Sequence, residues 1–315
     1  MSRGIWTHEG MPDVKPVTMD EGGTPLVPAP RLADEYGVES LLFKDESRNP
    51  TGSVEDRGAS VGVSAAVEEG AERVTLYAPG NAAVSVAAYA SRAGIESHAF
   101  VPSRARFDVK ASVNVHGGDM KVVRGNLNDA REAAREAEDD GFSLSPGETS
   151  YRRVGARTVG DEIAEAVDAD GDLDVDAVVC PVGSGTTYLG LSDALPDSVD
   201  LHAAQPEGCA TLVEDVETPD TVVGELEDPS PPDLDVLRET VDENGRAVAV
   251  TDGEALDACL AAAREGVSLA PSGGVALAAV EELDVSDADT VVVLNPSSAR
   301  LFADALRNRM VYHGE

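Results

Sequence analysis

The stretch L-L-F-K-D-E-S-R-N-P-T-G-S-V-E-D-R-G, Leu41 to Gly58, passes from an apolar strand through a turn into a helix, and its reading decides the fold. Asn49 and Pro50 are turn formers, Ser53 can cap the following helix, and the carboxylates of Glu55 and Asp56 suit its positively polarised first turn. A strand-turn-helix unit of this kind, if repeated, predicts a parallel sheet.

The unit is repeated along the chain. Short β-branched runs predict strands over Ser40 to Lys44, Arg73 to Tyr77, Ser97 to Val101, Met120 to Val123, Ala177 to Pro181, Asp200 to Gln205, Ala247 to Val250 and Thr290 to Asn295. Ala-rich amphipathic stretches predict helices over Arg57 to Glu69, Ala82 to Ala93, Leu127 to Glu138, Gly155 to Val167, Asp252 to Glu265 and Gly273 to Glu282, with a last one over Ala299 to Asn308. The class is α/β, doubly wound and mostly parallel, with ligands expected at the carboxyl ends of strands. Asp168 to Asp176 reads as a short acidic loop, and the Pro- and acid-rich segment Val213 to Asp235 as a connection winding over the surface.

Three more loops could carry chemistry. Gly183-Ser184-Gly185-Thr186-Thr187 follows the apolar run D-A-V-V-C-P-V and precedes a helix. It is a plain strand-to-helix turn or a cup whose backbone N–H groups converge on a phosphate. Ala78-Pro79-Gly80-Asn81 links a strand to an Ala-rich helix, with Asn81 the natural N-cap. Pro79 has no N–H to donate. At the C-terminal strand end, Asn295-Pro296-Ser297-Ser298 offers hydroxyls that either cap the last helix or meet a heteroatom of a bound ring.

The chain has 59 acidic against 24 basic residues, a formal net charge of −35. With no basic surface to neutralise phosphates, nucleic acid is excluded as a partner. Only four of the basic residues are lysines, Lys15, Lys44, Lys110 and Lys121, and aromatics are few. The pattern predicts a high-salt cytoplasm, where the Debye length falls to about 3 Å at 1 M and surface repulsion is screened. The N-terminus lacks a signal-peptide pattern and no apolar run approaches a membrane span, so a soluble cytoplasmic protein is expected. Cys180, Cys209 and Cys259 lack metal or disulfide spacing and read as buried free thiols. His98, His116 and His202 are isolated, and no metal site is predicted.

Taken in order, the loops resemble the fold-type II family of pyridoxal-phosphate (PLP) enzymes, in its threonine synthase-like branch. Gly22 to Leu26 (G-G-T-P-L) and the Leu41 to Gly58 stretch are similar to the family opening, whose text is close to K-D-E-x-x-N-P-T-G-S-F-K-D-R-G. Further matches follow at Gly80 to Gly94, Tyr151 to Thr158, the Gly183 loop, Gln205 to Gly208, Glu265 to Gly274 and Asn295 to Ser298, so that the resemblance covers roughly Gly22 to Arg300.

The resemblance implies an N-terminal α/β domain over 38–148, including a smaller mobile part, and a C-terminal one over 10–37 plus 149–315 carrying the phosphate loop. It also implies a homodimer. Gly183, Ser184, Gly185, Thr186 and Thr187 would hold the cofactor phosphate, Asn81 would lie beside the ring hydroxyl, and Ser297 would face the ring nitrogen. Ser53, Ala78, Pro79 and Gly80 would belong to the substrate loops.

Two departures stand out. Glu55 occupies the place of the lysine that forms the internal aldimine, and a carboxylate cannot form an imine. Two unit charges about 6 Å apart at an effective dielectric of 20 repel by roughly 3 kcal/mol, so Glu55 beside a phosphate must pair with an arginine such as Arg57, protonate or turn away. The substrate loop, usually S-S-G-N-T, is Ala78-Pro79-Gly80-Asn81-Ala82, which loses three hydroxyls and one N–H. Each hydrogen bond to a charged group is worth about 1.5–3 kcal/mol, so ordinary amino-acid binding is weakened.

These features predict a pseudoenzyme, or a protein of altered function, that takes a small phosphorylated or amino-acid-like ligand, with any PLP bound non-covalently. The alternatives are an active lyase or synthase of threonine synthase or serine/threonine dehydratase type using another lysine, Lys44 being nearest in sequence, or a PLP-independent enzyme using Glu55 and Asp56 as acid and base.

Overall fold

The computed structural model describes residues 4–137, 141–168, 174–286 and 289–299. Its larger sheet has the order β1 (Leu26–Pro28), β2 (Ser40–Asp45), β10 (Thr290–Asn295), β7 (Ala177–Pro181), β8 (Asp200–Pro206) and β9 (Ala247–Val250). β1 is antiparallel to β2, and every other pairing is parallel. The smaller sheet, β5 (Asp119–Val123), β4 (Glu96–Pro102), β3 (Arg73–Tyr77) and β6 (Phe142–Ser143), is parallel throughout. All residues of β7 and β10 are buried. Central parallel strands covered by helices on both faces require such unbroken apolar runs.

The strand expectations hold to within a residue at each end. Helix α2 (Glu55–Glu68) starts two residues earlier than expected, and α3 (Asn81–Ala93) one earlier. α6 (Tyr151–Asp168) gains a full turn at its start. α9 (Asp252–Arg264) is followed by α10 (Pro271–Ala279), which begins with a proline suited to a first helical turn. Among the described residues, the α-helices α1 (Pro30–Tyr36), α4 (Phe107–Val115) and α8 (Leu234–Asn244) escaped the periodicity, and the short α7 (Thr186–Ser192) was expected only as a helix start. α5 covers Leu127–Glu136. Glu138, the middle of the acidic loop at 169–173 and nearly all of the helix expected over Ala299 to Asn308 lie outside the described residues.

β2 pairs with β10 along its whole length, from Ser40 against Thr290 to Asp45 against Asn295, and so joins the larger sheet. Its Leu41 and Phe43 are buried in that sheet's core with Val291, Val293 and residues of α9 and α10. A separate core lies between the smaller sheet and α2 and α3.

Helices α2 and α6 cross where glycines face each other's backbone. A Cβ on Gly155 would lie 2.4 Å from the Arg57 carbonyl oxygen, and one on Gly58 would lie 3.0 Å from the Arg152 Cα. Close by, a buried ion network ties the same helices to β2. Arg57, wholly buried, makes two-pronged contacts with Glu46 at 2.7 and 2.8 Å and with Glu162 at 2.7 and 2.8 Å. Lys44 Nζ donates to Glu162 at 2.6 Å and to the Thr24 carbonyl at 2.8 Å. Burial pushes the Glu162 carboxyl up, but Arg57 and Lys44 outweigh it and hold the group at about 2. Among the described residues, no helix is long and apolar enough to cross a membrane.

Candidate functional site

Four strands of the two sheets, β2, β3, β7 and β10, deliver their carboxyl-end loops to one place. The β2 and β10 loops are stitched together: Ser53 and Ser297 form an antiparallel bridge, Val54 N donates to Pro296 O at 2.8 Å, and Ser298 N donates to Gly52 O at 2.8 Å. The cavity between the loops measures about 80 Å³, and its walls include Ser53, Glu55, Ala78, Pro79, Asn81 and Gly183 to Thr187. Of the expected site residues, Gly80 stands aside, against the Val109 side chain and beside a neighbouring cavity of about 240 Å³. Ser297, 1% exposed, lies behind the wall.

The Gly183 loop has the shape of a cup. Gly185 adopts φ 83°, a left-handed conformation, and a Cβ there would also press on Leu237 at 2.7 Å. This turn sets the Ser184 and Thr186 hydroxyls 3.2 Å apart. Arg152 lines the same cavity, and on its other side lines a second pocket with Ser184 and Thr186. The cup therefore carries hydroxyls, a glycine turn and one guanidinium.

That guanidinium is already engaged. Arg152 Nη2 donates to Glu55 Oε2 at 2.5 Å. The pairing with Arg57 anticipated for Glu55 does not occur, because residues two apart on a helix point to different sides. Arg57 turns into the buried network, and Glu55 into the cavity, where α6 presents Arg152.

Neither alternative catalyst reaches the cavity in the expected form. Lys44 is 2% exposed and committed to Glu162 and Thr24. It is not on the cavity wall, nor is Lys15, Lys110 or Lys121. Asp56 faces away from Glu55 and holds the turn, accepting from Thr51 N and Thr51 Oγ1 at 2.6 Å each. Burial pushes its carboxyl up to about 6, against the pull of the Thr51 and Ser85 hydrogen bonds. None of His98, His116 and His202 lines the cavity: His202 accepts from Arg246 N, His98 packs on Phe100, and His116 borders a separate cavity. Cys180, Cys209 and Cys259 are free and buried, as expected. Among the described residues, no cluster suited to a metal occurs.

Sequence reasoning missed Glu225. It lies in the segment read as a surface connection, yet its half-buried carboxylate reaches the cavity wall. Oε2 accepts from Asn81 Nδ2 at 3.1 Å and from Ser297 Oγ at 3.0 Å, and Oε1 accepts from Ser272 N at 2.9 Å. Burial pushes this carboxyl up from the usual range, against those hydrogen bonds. Asn81 is consequently not an N-cap; Gly80 takes that position, and the Asn81 amide crosses to Glu225. The connection turns inward because its apolar residues reach the core and its acidic residues find arginine partners. Val223 and Leu226 enter the core, Asp228 pairs with Arg131 at 3.4 Å, and Glu227 pairs with Arg104 at 3.1 Å. The signal available in sequence was the spacing of Val223 and Leu226 within an otherwise acidic run.

Comparison with known proteins places this geometry in a family. The family described as pyridoxal-phosphate dependent enzyme matches residues 17–297. Threonine synthase of Methanosarcina acetivorans is 31% identical over 310 residues, covering 89% of this chain and 74% of its own length. Threonine synthase of Mycobacterium leprae is 35% identical over 286 residues, with 84% and 77% covered. Among solved structures, O-ureido-L-serine synthase superposes with a TM-score of 0.83 at 21% identity, covering 96% of this chain and 98% of that one. A fungal L-serine ammonia-lyase from Rhizomucor miehei does so at 0.79 and 23%, covering 94% and 99%.

Proposed function

This chain belongs to the pyridoxal-phosphate dependent enzyme family as a threonine synthase-like homologue, and we propose that it has given up the family's covalent step and binds a small phosphate-bearing ligand non-covalently. The observation that carries this reading is the Glu55–Arg152 pair in the cavity wall, where the family resemblance calls for an amine and no lysine is present.

The implied cofactor meets a different wall at each end. Its phosphate end fits: the Gly185 turn, the Ser184 and Thr186 hydroxyls and Arg152 form an anion-accepting wall. A phosphate draws Arg152 away from Glu55 or shares it, since a guanidinium has five donors. Its aldehyde and ring ends do not fit. Glu55 offers no nucleophilic nitrogen, and at the ring end Asn81 and Ser297 are already bonded to the Glu225 carboxylate.

The loss of hydroxyls at Ala78, Pro79 and Ala82 supports the same reading, because an amino-acid carboxylate finds few donors there. Lys44 supports it too, being locked in an ion network outside the cavity. A role as a regulatory or structural partner of an active homologue accords with a binding protein of this kind.

The test is calorimetric titration of the purified protein with inorganic phosphate at high chloride concentration. Saturable binding at one site per chain, weakened by Arg152→Met, is expected. Heat indistinguishable from dilution, with no protection by phosphate against thermal unfolding, would refute the reading.

A further inference from the structure

Asn81 and Ser297 are the two residues that the family resemblance sets against different atoms of a pyridine ring, one at the hydroxyl and one at the nitrogen. In this protein both donate to the same atom, Oε2 of Glu225, at 3.1 and 3.0 Å. A single oxygen bridges the place a ring would occupy. The other oxygen, Oε1, takes the Ser272 backbone N–H at 2.9 Å, at the start of α10, so the carboxylate is held from three sides.

The backbone carrying Glu225 is also fixed against the cup. A Cβ on Gly183 would lie 3.3 Å from the Glu225 carbonyl oxygen and 3.2 Å from the Leu226 Cα. Leu226 N donates to Val223 O at 2.9 Å, and the Thr221 hydroxyl donates to Asp252 at 2.5 Å. Val223 is fully buried. The 221–228 segment is thus a strap anchored at both ends, and of its two carboxylates on the cavity wall, Glu225 and Asp228, it is Glu225 that binds Asn81 and Ser297.

We infer that Glu225 is the internal occupant of the ring end of this site and sets its specificity: ligands without an aromatic ring enter, and a pyridine ring enters only when Glu225 is removed. The inference rests on the proposed phosphate-binding reading for the identity of the other end, and on the strap alone for the exclusion. Two polar residues besides Glu225 remain on the wall for an acyclic ligand to meet, Ser272 and Asp228.

The test titrates the wild-type protein, Glu225→Ala and Glu225→Gln with inorganic phosphate and with pyridoxine 5′-phosphate, which has the ring but no aldehyde. Wild type and Glu225→Gln, which keeps the side-chain volume, are expected to bind phosphate but not pyridoxine 5′-phosphate. Glu225→Ala should gain affinity for pyridoxine 5′-phosphate by about tenfold or more, ~1.4 kcal/mol. Equal affinity of wild type and Glu225→Ala for pyridoxine 5′-phosphate overturns the inference and leaves the phosphate reading standing. Absence of phosphate binding in all three removes the phosphate reading instead. The strap is then judged from the Asn81 side-chain amide resonances: a shift in Glu225→Ala supports the occupant role, and unchanged resonances overturn it.

Discussion

Glu55 and Arg152 meet across the α2–α6 crossing, with Arg152 Nη2 donating to Glu55 Oε2 at 2.5 Å at the wall of the strand-end cavity. The close approach of Gly58 and Gly155 permits it, since side chains at these positions would push the helices apart. The carboxylate thus spends on an internal partner the cation that an incoming phosphate needs. Glu55→Gln should therefore tighten phosphate binding by about tenfold, and Arg152→Met should weaken it by at least as much, given roughly 1.5–3 kcal/mol for a charged hydrogen bond. Calorimetric dissociation constants for the two variants check both directions.

Restoring a lysine is not sufficient by itself to restore covalent attachment. Glu55→Lys supplies a nitrogen, but Glu225 still fills the ring end. The single variant should show no visible absorbance band with PLP. Glu55→Lys combined with Glu225→Ala should show one, with borohydride fixing the label at position 55. A band from the single variant would contradict the strap's role.

Lys44 is a structural cation. It is buried against Glu162, which also serves Arg57. Removing one partner of a buried ion pair costs about 3–5 kcal/mol because a charge is left uncompensated. Lys44→Met should lower the denaturation free energy by that order while leaving the phosphate dissociation constant unchanged, as measured by denaturant titration and calorimetry.

Asp56 gives a pH signature. Its carboxyl is pushed up to about 6 chiefly by burial, with Glu21 adding to the rise and the Thr51 and Ser85 hydrogen bonds opposing it. Tyr89 also faces this carboxyl and feels its charge. The folded state binds the proton more tightly than the unfolded chain does. The resulting stability is fully present below about pH 4 and is lost as pH rises through about 6. Relative to Asp56→Asn, the wild type should lose melting temperature across that window.

The charge of −35 predicts a strong salt response. Raising potassium chloride from about 0.1 M to 1 M shortens the Debye length from about 10 Å to 3 Å, and the melting temperature should rise steeply over that range. A flat response in differential scanning calorimetry would show that the acidic surface carries no strain from self-repulsion.

Much of the fold is legible in the text because central parallel strands leave an unmistakable trace. V-V-C-P and T-V-V-V-L-N admit no polar face, and β7 and β10 have none. The Gly183 cup is legible for the same reason, following directly from β7. Glu55's partner is not, since an arginine two residues away is near in sequence but turned elsewhere, and only the packing of α6 on α2 reveals Arg152. Glu225 is hidden more deeply. A Pro- and acid-rich segment is ordinarily solvated, and its inward turn depends on donors contributed by Asn81, Ser272 and Ser297 from three distant parts of the chain. Local composition carries no record of such partners.

Covalent trapping bears most directly on the proposed loss of the family's chemistry. The protein, incubated with PLP at high salt and reduced with borohydride, is digested and searched by mass spectrometry for pyridoxyl-lysine. No specific label on Lys15, Lys44, Lys110 or Lys121 is predicted, whereas stoichiometric labelling of any one of them, Lys44 above all, would contradict it.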